Sequence, residues 1–370
     1  MKILLAAGGT GGHVFPALAL AAEATAAGFD TLLLGASGGM EERLAREAGV
    51  PFRGVSAGKW RRGRPDPRQA WRAVRGVRGA IATVRSWRPD VVVGFGGFAS
   101  FPGCLAATLT GTPLVLHEGN AFPGRVTRWF AGRAAWTALA WAEADARLPN
   151  ARRTEVVGFP VRERRLPRVE ARTRLGLPPS GTVTLVMGGS QGSSALNDAA
   201  PAAYRRLAPE RRGTVLHAAG PRWAEGVRDA TRDLQGYRVA GFVDAVLAWS
   251  AADLAVTRAG VGTLAEAAFH GVPLLMLPLP SAADDHQRHN ARAVQDAGGG
   301  ILIEQHDAAG LTAAWSGLLD DRTLRRAGDR IAARSPVGAA RRLLDGVQQV
   351  VTDGKPSTTA PGPQRREGAR

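Results

Sequence analysis

The chain has 370 residues, of which 45% are hydrophobic, with one cysteine and a formal charge of +16. That length gives room for two domains with full cores. The lone Cys104 excludes an internal disulfide and fits a reducing cytoplasm, where a thiol beside small apolar residues reads as core. No apolar run approaches the ~20 residues that span a bilayer, and the opening run Ile3–Ala7 is too short for a signal-peptide core.

In chain order, Lys2–Ala7 predicts a buried parallel strand and Pro16–Ala27 a helix with proline in its first turn. Thr31–Leu34 predicts a strand, Met40–Ala48 a helix, Pro67–Arg85 a long basic helix and Val91–Val93 a strand. Phe101–Leu109 then reads as a helix and Leu114–His117 as a strand. Strand and helix in alternation predict a parallel sheet covered on both faces. The charged, proline-containing stretch Arg162–Pro179 reads as a linker into a second domain, where the alternation restarts. Strands are expected at Val183–Met187, Thr214–Ala218, Tyr237–Ala240, Leu254–Thr257, Leu274–Leu277 and Gly300–Ile303. Helices are expected at Ala195–Leu207, Trp223–Leu234, Thr323–Arg334 and Ala339–Val350. The expected division is an N-terminal domain over 1–161, a C-terminal domain over 162–335, a helix over 336–351 returning to the first domain, and a disordered tail over 352–370.

Three glycine-rich loops follow strands: Gly8-Gly9-Thr10-Gly11-Gly12-His13, Gly94-Phe95-Gly96-Gly97-Phe98 and Gly188-Gly189-Ser190-Gln191-Gly192. Glycine at a strand-to-helix turn lets backbone N–H groups close on an anion, with the positive end of the next helix behind them. Two such loops in one half and one in the other suggest two α/β domains facing a cleft that holds phosphate.

The charge is uneven. Arg53–Arg88 contains ten arginines and Lys59 against one acid, Asp66, with Trp60, Trp71 and Trp87 interleaved. Arginine with tryptophan suits a membrane interface carrying anionic lipid; solvated helix faces in an arginine-rich chain are the plain alternative, and nucleic acid a weaker one.

A dinucleotide fingerprint fails, because Val14 stands where its third glycine belongs. No D-x-D sequence occurs, and the adjacent Asp284-Asp285 makes a poor metal site even with His286 and His289 nearby. In Thr257–Pro280, Thr263 and Glu266 fall at the start of a helix. Their T-x-x-E spacing fits either a capping box or a carboxylate that accepts hydrogen bonds from a ribose diol.

In order, GGTGGHVFP, GFGGFASFPG, LHEGN, GFPVR, GGSQGSSALN, TRAGVGTLAE and DDHQRHNA resemble the MurG family, bacterial transferases that add N-acetylglucosamine to lipid I. The resemblance runs from Met1 to about Val350. It implies two Rossmann-like doubly wound α/β domains facing a cleft, the glycosyltransferase-B fold, and needs no cofactor and no metal. Its implied partners are UDP-GlcNAc, lipid I, anionic inner-leaflet lipid and other cell-wall enzymes, without nucleic acid. The implied location is peripheral, on the cytoplasmic face of the cell membrane. Carried over by position, Thr10, Gly11, Gly12, Asn120, Arg162, Ser190, Val243, Val261, Gly262, Thr263, Leu264, Ala265, Glu266 and Gln287 contact the donor. Gly9, Thr10, Gly96 and Gly97 receive the acceptor pyrophosphate. The chain departs from the pattern where Gly119 replaces a usual glutamine, Phe159 an asparagine, Ala259 a serine and Gly262 a larger apolar residue. Such departures also suit a relative that glycosylates another acceptor, such as a natural product.

The implied reaction is one inverting displacement, for which His13 is the candidate general base, kept neutral by a helix N-terminus. An orienting role for His13 is the alternative. His117-Glu118 is the rival constellation, with Glu118 a second catalytic candidate and His117 equally readable as a core residue.

Overall fold

A computed structural model of the chain describes residues 1–56, 67–189, 191–280, 283–335 and 337–354. The first part builds β1 (Lys2–Ala6), α1 (Gly11–Ala26), β2 (Asp30–Ala36), α2 (Met40–Glu47), β3 (Phe52–Val55), α3 (Pro67–Trp87) and β4 (Val91–Gly94). It continues through α4 (Phe101–Thr110), β5 (Leu114–Glu118), α5 (Arg125–Phe130), β6 (Trp136–Leu139) and β7 (Thr154–Val156). The second part builds α6 (Arg168–Arg174), β8 (Val183–Met187), α7 (Ser194–Arg206), β9 (Thr214–Ala218), α8 (Ala224–Ala230), β10 (Tyr237–Ala240), α9 (Ala245–Ala251) and β11 (Leu254–Thr257). It ends with α10 (Val261–His270), β12 (Leu274–Met276), α11 (His286–Asp296), β13 (Gly300–Leu302), α12 (Ala308–Leu318), α13 (Asp321–Ala332) and α14 (Ala339–Asp353).

Two parallel sheets result, ordered β3-β2-β1-β4-β5-β6-β7 and β10-β9-β8-β11-β12-β13. Strand order reverses between β1 and β4 in the first sheet, and between β8 and β11 in the second. A parallel sheet binds ligands beyond the carboxyl ends of its strands at such a reversal, where the flanking helices part to opposite faces. The three glycine loops leave β1, β4 and β8, and the Arg258–Gly260 turn leaves β11. All four therefore stand at the two reversal points.

The core strands are apolar along their length because both faces are covered. Ile3, Leu4, Leu5, Val91, Val92 and Val93 are fully buried, as are Leu185, Val186, Leu254 and Val256. Cys104 is buried among them, and desolvation pushes its thiol up to about 12, so it is a packing residue. Helix α14 lies against α1, and its Leu343, Leu344 and Val347 share a core with Ile3, Leu5 and Leu20. The last helix thus packs on the first sheet. Of the tail expected over 352–370, Thr352 and Asp353 instead close α14, and the residues beyond 354 lie outside the described residues.

Helix α1 starts at Gly11, five residues before the expected Pro16. Gly11-Gly12-His13 is therefore its first turn, and the glycine loop is itself a helix N-terminus. Pro16 sits inside the helix, where it lacks the N–H that Gly12 would otherwise receive. Strands β3, β6 and β7 were not among the expected elements. Among the described residues no helix is long and apolar enough to cross a membrane.

Candidate active site

The loops after β1 and β4 close around His13. Its Nδ1 lies 3.0 Å from Thr10 Oγ1, and the ring also meets the Gly8 backbone. Gly97 has φ +74°, and a side chain there would run into the Gly8 carbonyl and stand 2.8 Å from His13 Nδ1. Glycine is what lets the second loop seat against the first. Burial lowers the His13 pKa to about 4, with the nearby His286 acting in the same direction. The helix start adds a positive field of the same sign. His13 is therefore neutral at neutral pH.

The opposite wall is the start of α10. A Cβ on Gly12 would stand 3.2 Å from Val261 Cγ1, so the N-termini of α1 and α10 meet across the cleft. Each carries amides with no partner inside its helix, and together they focus positive potential on one space. Along α10, Gly262, Thr263 and Glu266 are partly exposed on one stripe, while Val261, Leu264, Ala265, Ala267 and Ala268 are buried. The N-cap is Gly260, so Thr263 and Glu266 do not form a capping box. Glu266 Oε2 instead accepts from Trp249 Nε1 at 2.9 Å. Burial raises the Glu266 pKa, and the indole N–H opposes that rise.

Arg258 braces this wall. Its Nε donates to Ser193 Oγ (3.0 Å), and one terminal nitrogen donates to the Leu277 carbonyl and to Gln305 Oε1, both at 2.9 Å. One guanidinium thereby ties together the loops after β8, β11, β12 and β13. Ser190 lies outside the described residues; its loop closes through Gly192 (φ +73°), where a side chain would meet the Ala219 carbonyl.

Between the walls runs a buried polar chain. Glu118 receives Asn120 N (2.9 Å), Asn120 Nδ2 (3.1 Å) and Gly124 N (2.9 Å). Asn290, on α11 of the other unit, donates to Asn120 Oδ1 at 3.1 Å and accepts from Ala121 N at 2.9 Å. At the rim Arg125 Nε and its terminal nitrogen reach the two Asp284 carboxylate oxygens at 3.1 and 3.0 Å, with Arg128 at 3.3 Å. The Phe122 and His289 rings stack at 4.6 Å.

Several sequence expectations change. Glu118 accepts three donors of its own loop, two on Oε1 and one on Oε2, so it shapes that loop. His117 is 1% exposed, donates through Nε2 to the Gly158 carbonyl, and lies beside the Phe95 and Phe159 rings, so the core reading holds for it. Leu264 and Ala265 point into the core, and the Leu264 N–H is already bonded to the Gly260 carbonyl. Only Val261, Gly262 and Thr263 offer open helix-start amides. Asp284 is engaged by arginines, which agrees with its poor promise as a metal ligand. Trp87 packs in a core with Lys2 Nζ 5.7 Å over its ring, so of the three tryptophans Trp71, 64% exposed, is the one seen at the surface. Trp60 and the Lys59–Arg64 patch lie outside the described residues.

The remaining expected residues are placed as follows. Gly9, Thr10, Gly11, Gly12, Gly96 and Gly97 form the two adjoining loops, with Gly9 and Gly96 also at positive φ. Asn120 sits at the junction, Val243 between β10 and α9, and Gln287 in the first turn of α11, its Oε1 accepting from Leu279 N at 3.0 Å. Arg162 is exposed on the segment joining the two sheets. Two departures from the family pattern prove to be one: a Cβ on Gly119 would stand 2.8 Å from Phe159 Cε2, so the ring occupies the space of the missing side chain. Trp249, Arg258, Asn290 and the Arg125–Asp284 pair were not singled out, because their roles depend on distant partners.

The glycosyltransferase family 28 N-terminal domain matches residues 3–138, and the family 28 C-terminal domain matches residues 183–333. The UDP-N-acetylglucosamine–N-acetylmuramyl-(pentapeptide) pyrophosphoryl-undecaprenol N-acetylglucosamine transferase of Deinococcus deserti is 47% identical, over 94% of this chain and 98% of its own. The protein of that name from Thermus thermophilus is 46% identical, over 93% and 98%. The crystal structure of Acinetobacter baumannii MurG superposes with a TM-score of 0.78 at 28% identity, covering 94% of this chain and 99% of that one. With both units, the cleft and this identity in agreement, the chain belongs to the MurG family of UDP-N-acetylglucosamine–N-acetylmuramyl-(pentapeptide) pyrophosphoryl-undecaprenol N-acetylglucosamine transferases.

Proposed function

We propose that this protein transfers N-acetylglucosamine from UDP-N-acetylglucosamine to the 4-hydroxyl of the MurNAc sugar of lipid I, giving lipid II and UDP with inversion at the anomeric carbon. Beyond family membership, the observation that carries the reading is the meeting of two helix N-termini, one from each unit, beside a neutral histidine. Two anions need two cradles. The diphosphate of UDP sits at the open amides of Val261, Gly262 and Thr263 with Ser190, and the acceptor pyrophosphate at Gly9, Thr10, Gly96 and Gly97.

As the 4-hydroxyl oxygen bonds to the anomeric carbon, its proton passes to the neutral His13 ring. The bond from that carbon to UDP breaks, and its electron pair goes to the diphosphate. The helix-start amides stabilise the charge that develops there. Asn120 and Arg162 contact the donor from the first unit, the backbone at Val243 reads uracil, Glu266 accepts from the ribose diol, and Gln287 holds the GlcNAc hydroxyls.

The lipid end of the acceptor is met at the membrane surface. Trp71 and Val74 are exposed on α3 among arginines, a mixture that binds anionic inner-leaflet lipid from the cytoplasmic face. The purified protein, UDP-GlcNAc and a soluble lipid I analogue should yield UDP and a β-linked disaccharide. Transfer to small aglycones with none to the lipid I analogue would overturn the reading. Sedimentation with anionic vesicles should weaken as salt rises; indifference to salt and lipid charge would contradict the membrane part.

A further inference from the structure

Trp249 is the fifth residue of α9, which is capped by Asp244, and it is 1% exposed. Its indole N–H is spent on one atom, Glu266 Oε2. Among the described residues this is the only hydrogen bond to that carboxylate. Glu266 has no capping duty and no ion-pair partner among those residues. It shares its stripe with Gly262 and Thr263, the partly exposed positions at the start of α10. A partly exposed carboxylate with one oxygen fixed by a rigid aromatic donor presents its other oxygen in a set direction. Helix α9 also starts immediately after Val243, so one short helix bears on both the base end and the sugar end of a nucleoside.

We propose that Trp249 is a positioning residue for recognition of a ribonucleoside diphosphate: its indole N–H orients the Glu266 carboxylate so that it accepts from the vicinal 2′- and 3′-hydroxyls. This rests on the reading that Glu266 meets the ribose. Discrimination against a deoxyribose then depends on two residues, one that touches the diol and one that does not.

The test is calorimetric binding of UDP and 2′-deoxy-UDP to the full-length parent, Glu266→Gln, Trp249→Phe and, as a control for loosened packing, Trp315→Phe. Trp315 is equally buried but belongs to a separate core. The parent is expected to prefer UDP by about tenfold, the scale of a lost charge-assisted hydrogen bond. Glu266→Gln should lose most of that preference, and Trp249→Phe should reduce it to about threefold or less. Trp315→Phe should melt at lower temperature with the parent's preference intact. If Glu266→Gln keeps the parent's preference, or the parent has none, the ribose reading fails. If Glu266→Gln loses it while Trp249→Phe keeps it, the role of Trp249 fails and the reading stands. Should Trp249→Phe not fold, a chain carrying benzothienylalanine in place of tryptophan keeps the ring's shape and removes only the N–H donor, and the same two outcomes decide.

Discussion

The two units place the same device, a helix N-terminus beyond a parallel strand, beside the order reversal of their sheets, after β1 in one and after β11 in the other, and equip it differently. In the first unit the start of α1 is nearly bare: glycine turns, a threonine and one titratable ring that meets the threonine hydroxyl and the loop backbone. In the second, the start of α10 is braced on several sides by Arg258, Trp249 and Asn290. The bare end leaves room for a second substrate and a proton acceptor. The braced end holds a nucleotide whose shape does not vary. The difference teaches that one fold element can serve chemistry or binding according to how much side chain surrounds it.

That division can be broken most severely at His13. His13→Ala should lower kcat by about 10²–10⁴-fold, the usual contribution of a general base, in an assay with UDP-GlcNAc and a soluble acceptor. A loss under about tenfold would leave His13 only an orienting role.

Acid should strike both units over one pH window. His117 in the first and His217 in the second are buried, and desolvation lowers each to about 4. The unfolded chain takes up these protons below about 6.5, whereas the folded chain does so only near 4. Stability is therefore fully present above about pH 6.5 and falls as pH drops toward 4, by on the order of 3 kcal/mol per histidine. Denaturant melts from pH 7 to 4 would show it; a flat profile would contradict the burial of both rings.

Asn290→Ala removes one set of the bonds between the halves and strands the buried Ala121 N–H and the Asn120 side-chain oxygen. A cost of roughly 2–3 kcal/mol is expected in chemical denaturation, with a raised KM for the donor. Gly119→Gln should cost about 1–3 kcal/mol through collision with Phe159. The double variant with Phe159→Asn should recover most of that loss; additive effects would show that the two positions are independent. The smallest effect belongs to Asp284→Asn. Its pairs with Arg125 and Arg128 are partly exposed, so less than about 1 kcal/mol should go, and less again at high salt.

The architecture is legible where a strand carries adjacent apolar residues: Val183–Met187, Thr214–Ala218, Tyr237–Ala240 and Leu254–Thr257 stand as expected. Strands β3 (Phe-Arg-Gly-Val) and β7 (Thr-Glu-Val) escape because neither has two adjacent large apolar residues. Strand β6 is fully buried yet only four residues long, too short for its period to register. At the site, the loops and His13 were legible because glycine spacing and a strand end are local signals. Trp249, Arg258 and Asn290 were not, since their partners lie from 17 to 170 residues away along the chain. The part Glu118 plays in shaping its loop is hidden in sequence for the complementary reason: the Asn120 and Gly124 N–H groups that meet it are backbone groups with no residue-type signal.

The most direct test of this division of labour is UDP binding by calorimetry to the His13→Ala variant, set beside its turnover. The account predicts UDP affinity within about twofold of the parent while turnover falls about a hundredfold or more. UDP affinity that falls in step with turnover would contradict it, because His13 would then belong to the donor site and the two helix starts would share one task.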